Sequence, residues 1–558
     1  MWRFNRMTVA SQKIGHTRWV VPEEDRSLYV GPAPNQLTSS LNSNRELLWK
    51  DEAHQGYDFQ GYRFSELLEL CRADLLQKAI RYTRAYRNVS LPRELQERTE
   101  GFRGPIILGG HQPELFHPGV WAKNFVIDRW ARENAGVALQ ILIDTDVPKS
   151  LGIHVPGGSL TKPTVEYLPF EHRSERVSYE AWQIRDNAEF DSFGDRVRER
   201  VAPLINDPFI DHYWPRVIER AKNVRQVGLC LAQARHQFEA GWGLQTLELP
   251  QSEICKGDAF RWFTAHILAH LPRFHEIYNS ALFEYRKQNR LRNHAHPVPD
   301  LASGESGLQA PFWIWADEDP QRQPLHCQYQ GDQLLLAGNK GVTFAIQATP
   351  EGDLHTAVEQ LAEAESQGIH IRSRALMTTM FARLFCGDLF VHGIGGANYD
   401  RLTDTIIDRF FGFQPPGYMV VSGTLRLPLE GSGVTVEEIR RCDASLRDFV
   451  FNPDRLLKSS GDVPISSQCQ AWIKEKKQWL DTPLTNENGS TRHEAIERCN
   501  RAIQPFALRL AQATETKRKN LIKKMQADTI LGARDYAFCL FPEHLLAEFL
   551  LDTVRHSL

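Results

Sequence analysis

The stretch that most constrains this chain runs from residue 105 to residue 146. Ile106, Ile107 and Leu108 form a short apolar run that ends at Gly109-Gly110, the pattern of a buried strand closing in a tight turn. Asn124 to Ala131 reads as a helix, and Gly136 ends it. Val137 to Ile143 is a second apolar run that finishes in Asp144-Thr145-Asp146. Strand, glycine turn, helix, strand and acidic tip make a βαβ unit, whose two strands lie parallel. Such sheets receive ligands outside the carboxyl ends of their strands. Asp144 and Asp146 are therefore expected on the same rim as His111 and His117.

The segment between the strands is rich in chemistry. It carries two imidazoles (His111, His117), a carboxylate (Glu114), two amides (Gln112, Asn124) and an ammonium (Lys123). Gly109-Gly110 before a helix offer free backbone N–H groups and the positive end of a helix dipole, which suit an anion such as a nucleotide phosphate. The plainer reading is a turn that needs glycine for its backbone angles. The Gly-x-x-x-x-Gly-Lys-Ser/Thr spacing of a Walker loop is absent. His117-Pro118-Gly119-Val120 is one residue away from the His-x-Gly-His turn of class I nucleotidylyl-transferring enzymes, with His111 available as the second imidazole.

A second stretch repeats the theme. Leu389 to Val391 is apolar and runs into His392-Gly393-Ile394-Gly395-Gly396-Ala397-Asn398-Tyr399, after which Tyr399 to Phe411 reads as helix. The glycines fall short of Gly-x-Gly-x-x-Gly, and no acidic residue ends a following strand to hold a ribose, so a nicotinamide site is not expected. A glycine turn that lets a ligand approach the backbone is expected instead, lined by His392, Gly393, Gly395, Gly396, Asn398 and Tyr399. A third strand, Tyr418 to Val421, ends in Ser422-Gly423-Thr424 and brings Ser422 to the same rim. Arg372, Arg374 and Arg426 are candidates to clamp a carboxylate or phosphate, Arg374 foremost. Asp144 and Asp146 with His111, His117, His154 and His392 could also gather a divalent metal, although an Asp-x-Asp pair is more often a cap or a hydrogen-bonded turn. No firmly bound metal is expected; a transient magnesium ion carried with ATP is an open alternative.

A chain of 558 residues exceeds one core and divides into roughly two to four domains. We divide it into an N-terminal extension and helix (1–100), the first half of a Rossmann-like core (101–150), a mostly helical insertion (151–300), the second half of the core (301–430), and a helical coiled coil with a docking tail (431–558). In the last of these, Ile496, Cys499, Ile503, Phe506, Leu510 and Ala513 alternate spacings of three and four, a coiled-coil seam that Pro505 should kink. The fold class is α/β: a parallel-sheet core, a helical insertion and C-terminal helices packed as an antiparallel hairpin. A net charge of −3 gives no general attraction to nucleic acid. The nine cysteines are scattered without a Cys-x-x-Cys pair, which fits a reducing cytoplasm. Met-Trp-Arg-Phe-Asn-Arg-Met lacks the apolar core of a signal peptide, and no apolar run is long enough for a membrane span. We expect a cytoplasmic protein with small-molecule substrates and no nucleic-acid or membrane partner.

Taken together, Gly110, Gln112, Leu115, Phe116, Lys123, Asp144/Asp146, Arg374, Gly395, Gly396 and Tyr399 resemble the motifs of the bacillithiol-biosynthesis cysteine-adding enzyme family (BshC). In place of that family's Gly-Gln-Gln this chain has Gly110-His111-Gln112, and His117-Pro118-Gly119 replaces a glycine-proline turn. The resemblance implies a core related to class I nucleotidylyltransferases and a homodimer formed through the coiled coil. It implies a ligase that joins cysteine, or another amino acid, to an amino sugar or similar amine after ATP-dependent activation of a carboxylate. His111 and His117 would then stabilise phosphate charge, Lys123 and the glycine turns would hold the anion, and Asp144 or Asp146 would bind an amine or hydroxyl. Readings from other classes are a metal-dependent hydrolase on the His/Asp rim and a non-catalytic dimeric scaffold.

Overall fold

The computed structural model describes residues 19–54, 56–172, 176–293, 295–459 and 465–557. The N-terminal residues 1–18 and His294 lie outside these described residues. In chain order, β1 (Ser27–Gly31), β2 (Ile106–His111) and β3 (Val137–Leu142) precede a hairpin of β4 (Gly152–Ser159) and β5 (Lys162–Pro169). β6 (Leu247–Pro250) follows a run of helices. β7 (Ser303–Gly304), β8 (Gly307–Ala316), β9 (Asp319–Gln330), β10 (Gln333–Ala337), β11 (Thr343–Ile346) and β12 (Ile369–Ser373) come next. β13 (Leu389–His392) and β14 (Tyr418–Thr424) close the series.

β2, the helix Pro118–Glu133 and β3 form the βαβ unit, and the larger sheet grows around it in the order β1-β14-β13-β2-β3-β6. Its five strands from β14 to β6 are parallel, and β1 lies antiparallel on the β14 edge. The chain runs outward from β2 to β3 and β6, then returns to the other side of β2 for β13 and β14. Winding therefore reverses between β2 and β13, the place where open α/β sheets form their ligand crevice. Two of these strands come from outside the segments read as core: β6 from within 151–300 and β1 from within 1–100. A separate antiparallel sheet, β11-β10-β9-β8-β12, packs beside the core.

The pleat sorts side chains onto two layers, because successive residues of a strand point to opposite faces. Ile106, Leu108, Leu139, Ile141 and Phe390 enter one apolar core together with Leu68, Leu75 and Phe263. Ile107, Ala138, Leu389 and Val391 enter the other, against Phe125, Val126 and Ile127 of the helix Pro118–Glu133. That helix begins six residues before Asn124 because Pro118 supplies a preset φ at its first turn. The expected glycine turn is absent. β2 runs on through Gly109 and Gly110 to His111, in register with Gln140, Ile141 and Leu142. A Cβ on Gly109 would stand 2.2 Å from Gln140 Oε1 and 3.3 Å from Ile127 Cδ1, so the glycine leaves room for these side chains beside β2.

The C-terminal region is helical: Val436–Phe451, Pro453–Ser459 and Ser467–Asp481 pack on a 43-residue helix, Gly489–Leu531, that continues through Pro505. Leu456, Leu457 and Cys469 meet Ile503, Ala507 and Ala511 in one cluster. Ala513, placed on the seam from its spacing, is exposed. After this helix the chain turns back on the core. The Phe538 amide donates to Phe116 O at 2.8 Å, and the Phe209 amide to Phe541 O at 2.8 Å. No helix among the described residues is long and apolar enough to cross a membrane.

Candidate functional site

A cavity of about 240 Å³ opens at the carboxyl ends of β2 and β13, at the reversal of winding. Gly110, Gln112, Asp146, Arg374 and His392, five of the residues singled out from sequence, line it. β2 and β13 lie side by side in parallel, with Phe390 opposite Leu108, so Gly110 and His392 leave the sheet on the same face as Phe390. Residues with no motif of their own complete the walls: Gln251 after β6, Tyr278 on the helix Leu271–Gln288, Trp313 on β8 and Arg322 on β9. Trp313 stands beside an irregularity of the β8–β9 ladder, a device that re-aims side chains next to sites.

Asp146 closes one corner. It accepts from Gln112 Nε2 at 3.0 Å, Arg322 Nη1 at 2.9 Å and the Val147 amide at 2.9 Å. Arg322 and Arg374 each hold their guanidinium 4.5 Å from the centre of the Trp313 ring. They differ in partners: Arg322 has Asp146, whereas Arg374 has no ion pair and its buried Nη1 has no hydrogen-bond partner among the described residues. Burial pushes the Arg374 guanidinium below its ordinary range, and Arg322 adds to that. Gln251 gives its amide nitrogen to Ser373 Oγ at 2.8 Å and Thr378 Oγ1 at 2.9 Å, which leaves its buried Oε1 unpaired. Burial likewise raises Tyr278 to about 12, so its hydroxyl keeps its proton.

His392 forms the opposite wall. It is 4% exposed, and its Nε2 lies 2.9 Å from Asp400 Oδ2. Asp400 is fully buried and also accepts from Arg383 Nη1 at 2.7 Å and Thr379 Oγ1 at 2.6 Å. Burial alone would raise the Asp400 carboxyl; Arg383, His392 and Thr379 more than offset it and hold the carboxyl below its usual range. Neither Asp400 nor Arg383 had a signal in sequence, because both read as ordinary polar positions of helices. Tyr399, half-buried and raised to about 12 by burial, stands near the same imidazole.

The remaining residues read as one site fall elsewhere. His111 leaves β2 one residue after Gly110 and so faces the helix layer, with its ring 4.9 Å from Phe116 and its Nδ1 2.9 Å from Gln112 O. Lys123 lies on that layer too, buried, with Nζ 3.2 Å from Gly110 O. His117 and Glu114 line a different cavity of about 640 Å³, shared with His154 of β4 and with Asp535 and Tyr536 of the tail. Burial holds His117 down to about 4 and keeps His111 well below its usual value, with Lys123 adding to the effect. Both imidazoles are therefore neutral at physiological pH and cannot stabilise phosphate as cations. The Gly119 position has a packing cause, since a Cβ there would meet Gly423 O at 1.9 Å.

Five further expectations are corrected in the same way. Asn124 donates to Glu239 Oε1 at 2.8 Å inside the protein. Asp144 accepts from the Ser252 amide at 2.9 Å and Ser252 Oγ at 2.5 Å, capping the start of the helix Gln251–Cys255. Burial and the Glu180 carboxylate raise it to about 7, in keeping with an interior cap. Ser422 lies inside β14, paired with Tyr29 of β1, so the edge strand covers the third expected wall. Gly395 and Gly396 belong to the first turn of the helix Ile394–Phe411, with Gly393 before it, rather than to a loop; Asn398 points outward from that helix. Of the arginines, Arg372 is consumed by Glu180 and Glu365, and Arg426 by the carbonyls of Glu23 and Gly532.

Asp146 and His392 reach the first cavity and His117 and His154 the second, so the acidic and imidazole groups do not assemble. Among the described residues, no three His, Cys, Asp or Glu side chains converge as a metal-ligand set. All nine cysteines are buried free thiols. No protein-family model matches the chain, and no curated protein matches it either.

Proposed function

We propose that this protein is a small-molecule ligase that joins an amino acid to an amino sugar or similar amine, with ATP and Mg²⁺ activating the carboxylate. Its parallel strands would form a Rossmann-like core of the class I nucleotidylyltransferase kind, and its C-terminal helices a coiled coil that pairs two copies in the cytoplasm. The reading rests on the resemblance carried by Gly110, Gln112, Arg374, Gly395 and Gly396 and on the position of the cavity at the reversal of winding. Its volume, about 240 Å³, is below the roughly 300–1,000 Å³ of pockets for drug-sized ligands, which favours an amino-acid-sized group over a whole nucleotide. A nucleotide would extend outward along the turn at Gly393, where the first amides of the helix Ile394–Phe411 have no intrahelical acceptor.

The observation that carries the reading is Arg374. Leaving a buried donor unpaired costs roughly 1–3 kcal/mol, more for a charged group, and a carboxylate or phosphate in the cavity would offset that cost. The test is a thermal-shift screen of amino acids, amino sugars and ATP–Mg²⁺ on wild type and Arg374→Ala. A bound acid should raise the melting temperature of wild type and leave the variant unmoved. A screen in which no carboxylate or nucleotide stabilises wild type, or in which Arg374→Ala responds equally, sinks the assignment.

A further inference from the structure

Among the described residues that line the cavity, His392 is the one imidazole. We infer that His392 is the cavity's proton acceptor, kept by Asp400 in the tautomer that carries hydrogen on Nε2 and presents a bare Nδ1 to the first turn of the helix Ile394–Phe411. This deepens the proposed function by naming the group that would take the amine's proton.

The argument starts from the hydrogen-bond partners. Asp400 is enclosed, with Arg383 and Thr379 donating to it, so its carboxylate is ionised and acts only as an acceptor. The imidazole nitrogen 2.9 Å away must then be the donor, which puts the hydrogen on Nε2. Arg383 is itself fixed, giving Nη2 to Asp404 Oδ1 at 2.6 Å and to Pro416 O, with its guanidinium 4.8 Å from the Tyr418 ring centre. The rings of Phe390, tilted at 4.5 Å, and Tyr418, edge-on at 5.1 Å, pack against the imidazole.

Nδ1 has no hydrogen-bond partner among the described residues, and Gly396 keeps the space beside it open. A Cβ on Gly396 would stand 2.9 Å from Nδ1 and 3.5 Å from the Tyr399 hydroxyl. An oriented imidazole on the wall of a cavity, with one nitrogen on a buried carboxylate and the other unpaired among the described residues, is the arrangement of a general base. In the proposed reaction the amine nitrogen bonds the activated carboxyl carbon as the bond to the phosphate oxygen breaks. The phosphate leaves with the electron pair, and the proton shed by nitrogen passes to Nδ1. The imidazolium is then stabilised by Asp400. His392 is the catalytic residue in this scheme; Asp400 and Arg383 are positioning residues.

The inference is testable without any substrate, so its failure is separable from failure of the ligase reading. Full-length protein labelled with ¹⁵N-histidine, with His392 assigned by its loss in His392→Gln, should report the Nε2–H tautomer in long-range ¹H–¹⁵N spectra. Asp400→Asn should move that signal toward the Nδ1–H form. Diethyl pyrocarbonate, which acylates unprotonated imidazole nitrogen, should modify His392 in wild type. Gly396→Ala should slow that modification by roughly tenfold or more, equivalent to about 1.4 kcal/mol of barrier, while exposed His154 reacts as before. An Nδ1–H tautomer in wild type overturns the inference. So does a His392 reaction rate that Gly396→Ala leaves unchanged.

Discussion

Lys123 is the residue whose burial runs most against its chemistry. It is 4% exposed, no carboxylate pairs with it among the described residues, and burial lowers its pKa to about 8. A depressed ammonium pKa means that the unfolded chain binds the extra proton, so stability rises with pH across that window. The cost of burying Lys123 is therefore present in full below pH 8 and is relieved as the pH climbs toward the unfolded value of 10.5. Lys123→Met should stabilise the protein at pH 7 by about 2–3 kcal/mol, the size of the shift less one lost hydrogen bond. Denaturation at pH 7 and pH 10 should show that advantage shrinking; a constant difference would mean that Lys123 stays charged in the fold. At this scale the sequence was a partial guide. The density of His111, His117, Lys123 and Asn124 correctly marked an unusual stretch, but the pleat divides it. Gly110 and Gln112 face the cavity, whereas His111 faces the helix layer, and residue type does not reveal a side chain's face when the strand's end is misplaced by three residues.

At the scale of elements, the chain's last segment holds the loop that leaves β2. Phe538 is fully buried, with its ring 4.5 Å from Trp121, 5.0 Å from Tyr213 and 5.6 Å from Phe116, and its amide bonds Phe116 O. Phe538→Ala should cost about 3–5 kcal/mol and loosen the loop from Glu114 to His117. Limited proteolysis should then cut near that loop, and the melting temperature should fall; an unchanged cleavage pattern would mean that the tail is only an appendage. The long amphipathic helices were legible, because their apolar residues recur every three or four places: Phe64, Leu67, Leu68, Cys71, Leu75 and Ala79 all face the core of the helix Phe64–Arg84. The short elements were not. β6 is only Leu247–Pro250, β9 is rich in Gln and carries two prolines, and the glycines of β2 imitate a turn. A strand that buries four residues, or that carries glycine for close packing, has too little period to announce itself.

At the scale of the molecule, the long C-terminal helices stand out from the α/β body. Val450, Phe451, Leu480 and Leu508 are large apolar residues left exposed on them, and Leu484 is exposed in the connection between two of them. Proposed pairing of two copies through this region predicts a dimer in sedimentation velocity, and Phe451→Asp with Leu484→Asp should shift it toward monomer. A wild-type monomer at high concentration would remove that part of the proposal. Of the expected seam positions, Cys499 and Ile503 are buried and Phe506 and Leu510 pack partly buried on the same cluster as Ile503, whereas Ala513 is exposed; Ala507 and Ala511 are buried against helices of the same chain as well. Within one chain, then, part of the seam is already used.

What the sequence determined by itself was local: a βαβ unit with its strands in parallel, two stretches of dense chemistry, Arg374 as a cation near the rim, and long helices at the C-terminus. Each of these follows from periodicity or residue type within a short window, and such windows are where local physics acts. Only the tertiary structure decided which of those residues meet. Winding reverses between β2 and β13, so Gly110 and His392, 282 positions apart, share one cavity. β9 then brings Arg322, and a helix turn brings Asp400, from segments with no signature. The antiparallel β1 covers Ser422, and one step of the pleat turns His111 away. Side-chain direction depends on register, and register is set by pairing with distant strands, which no short window contains.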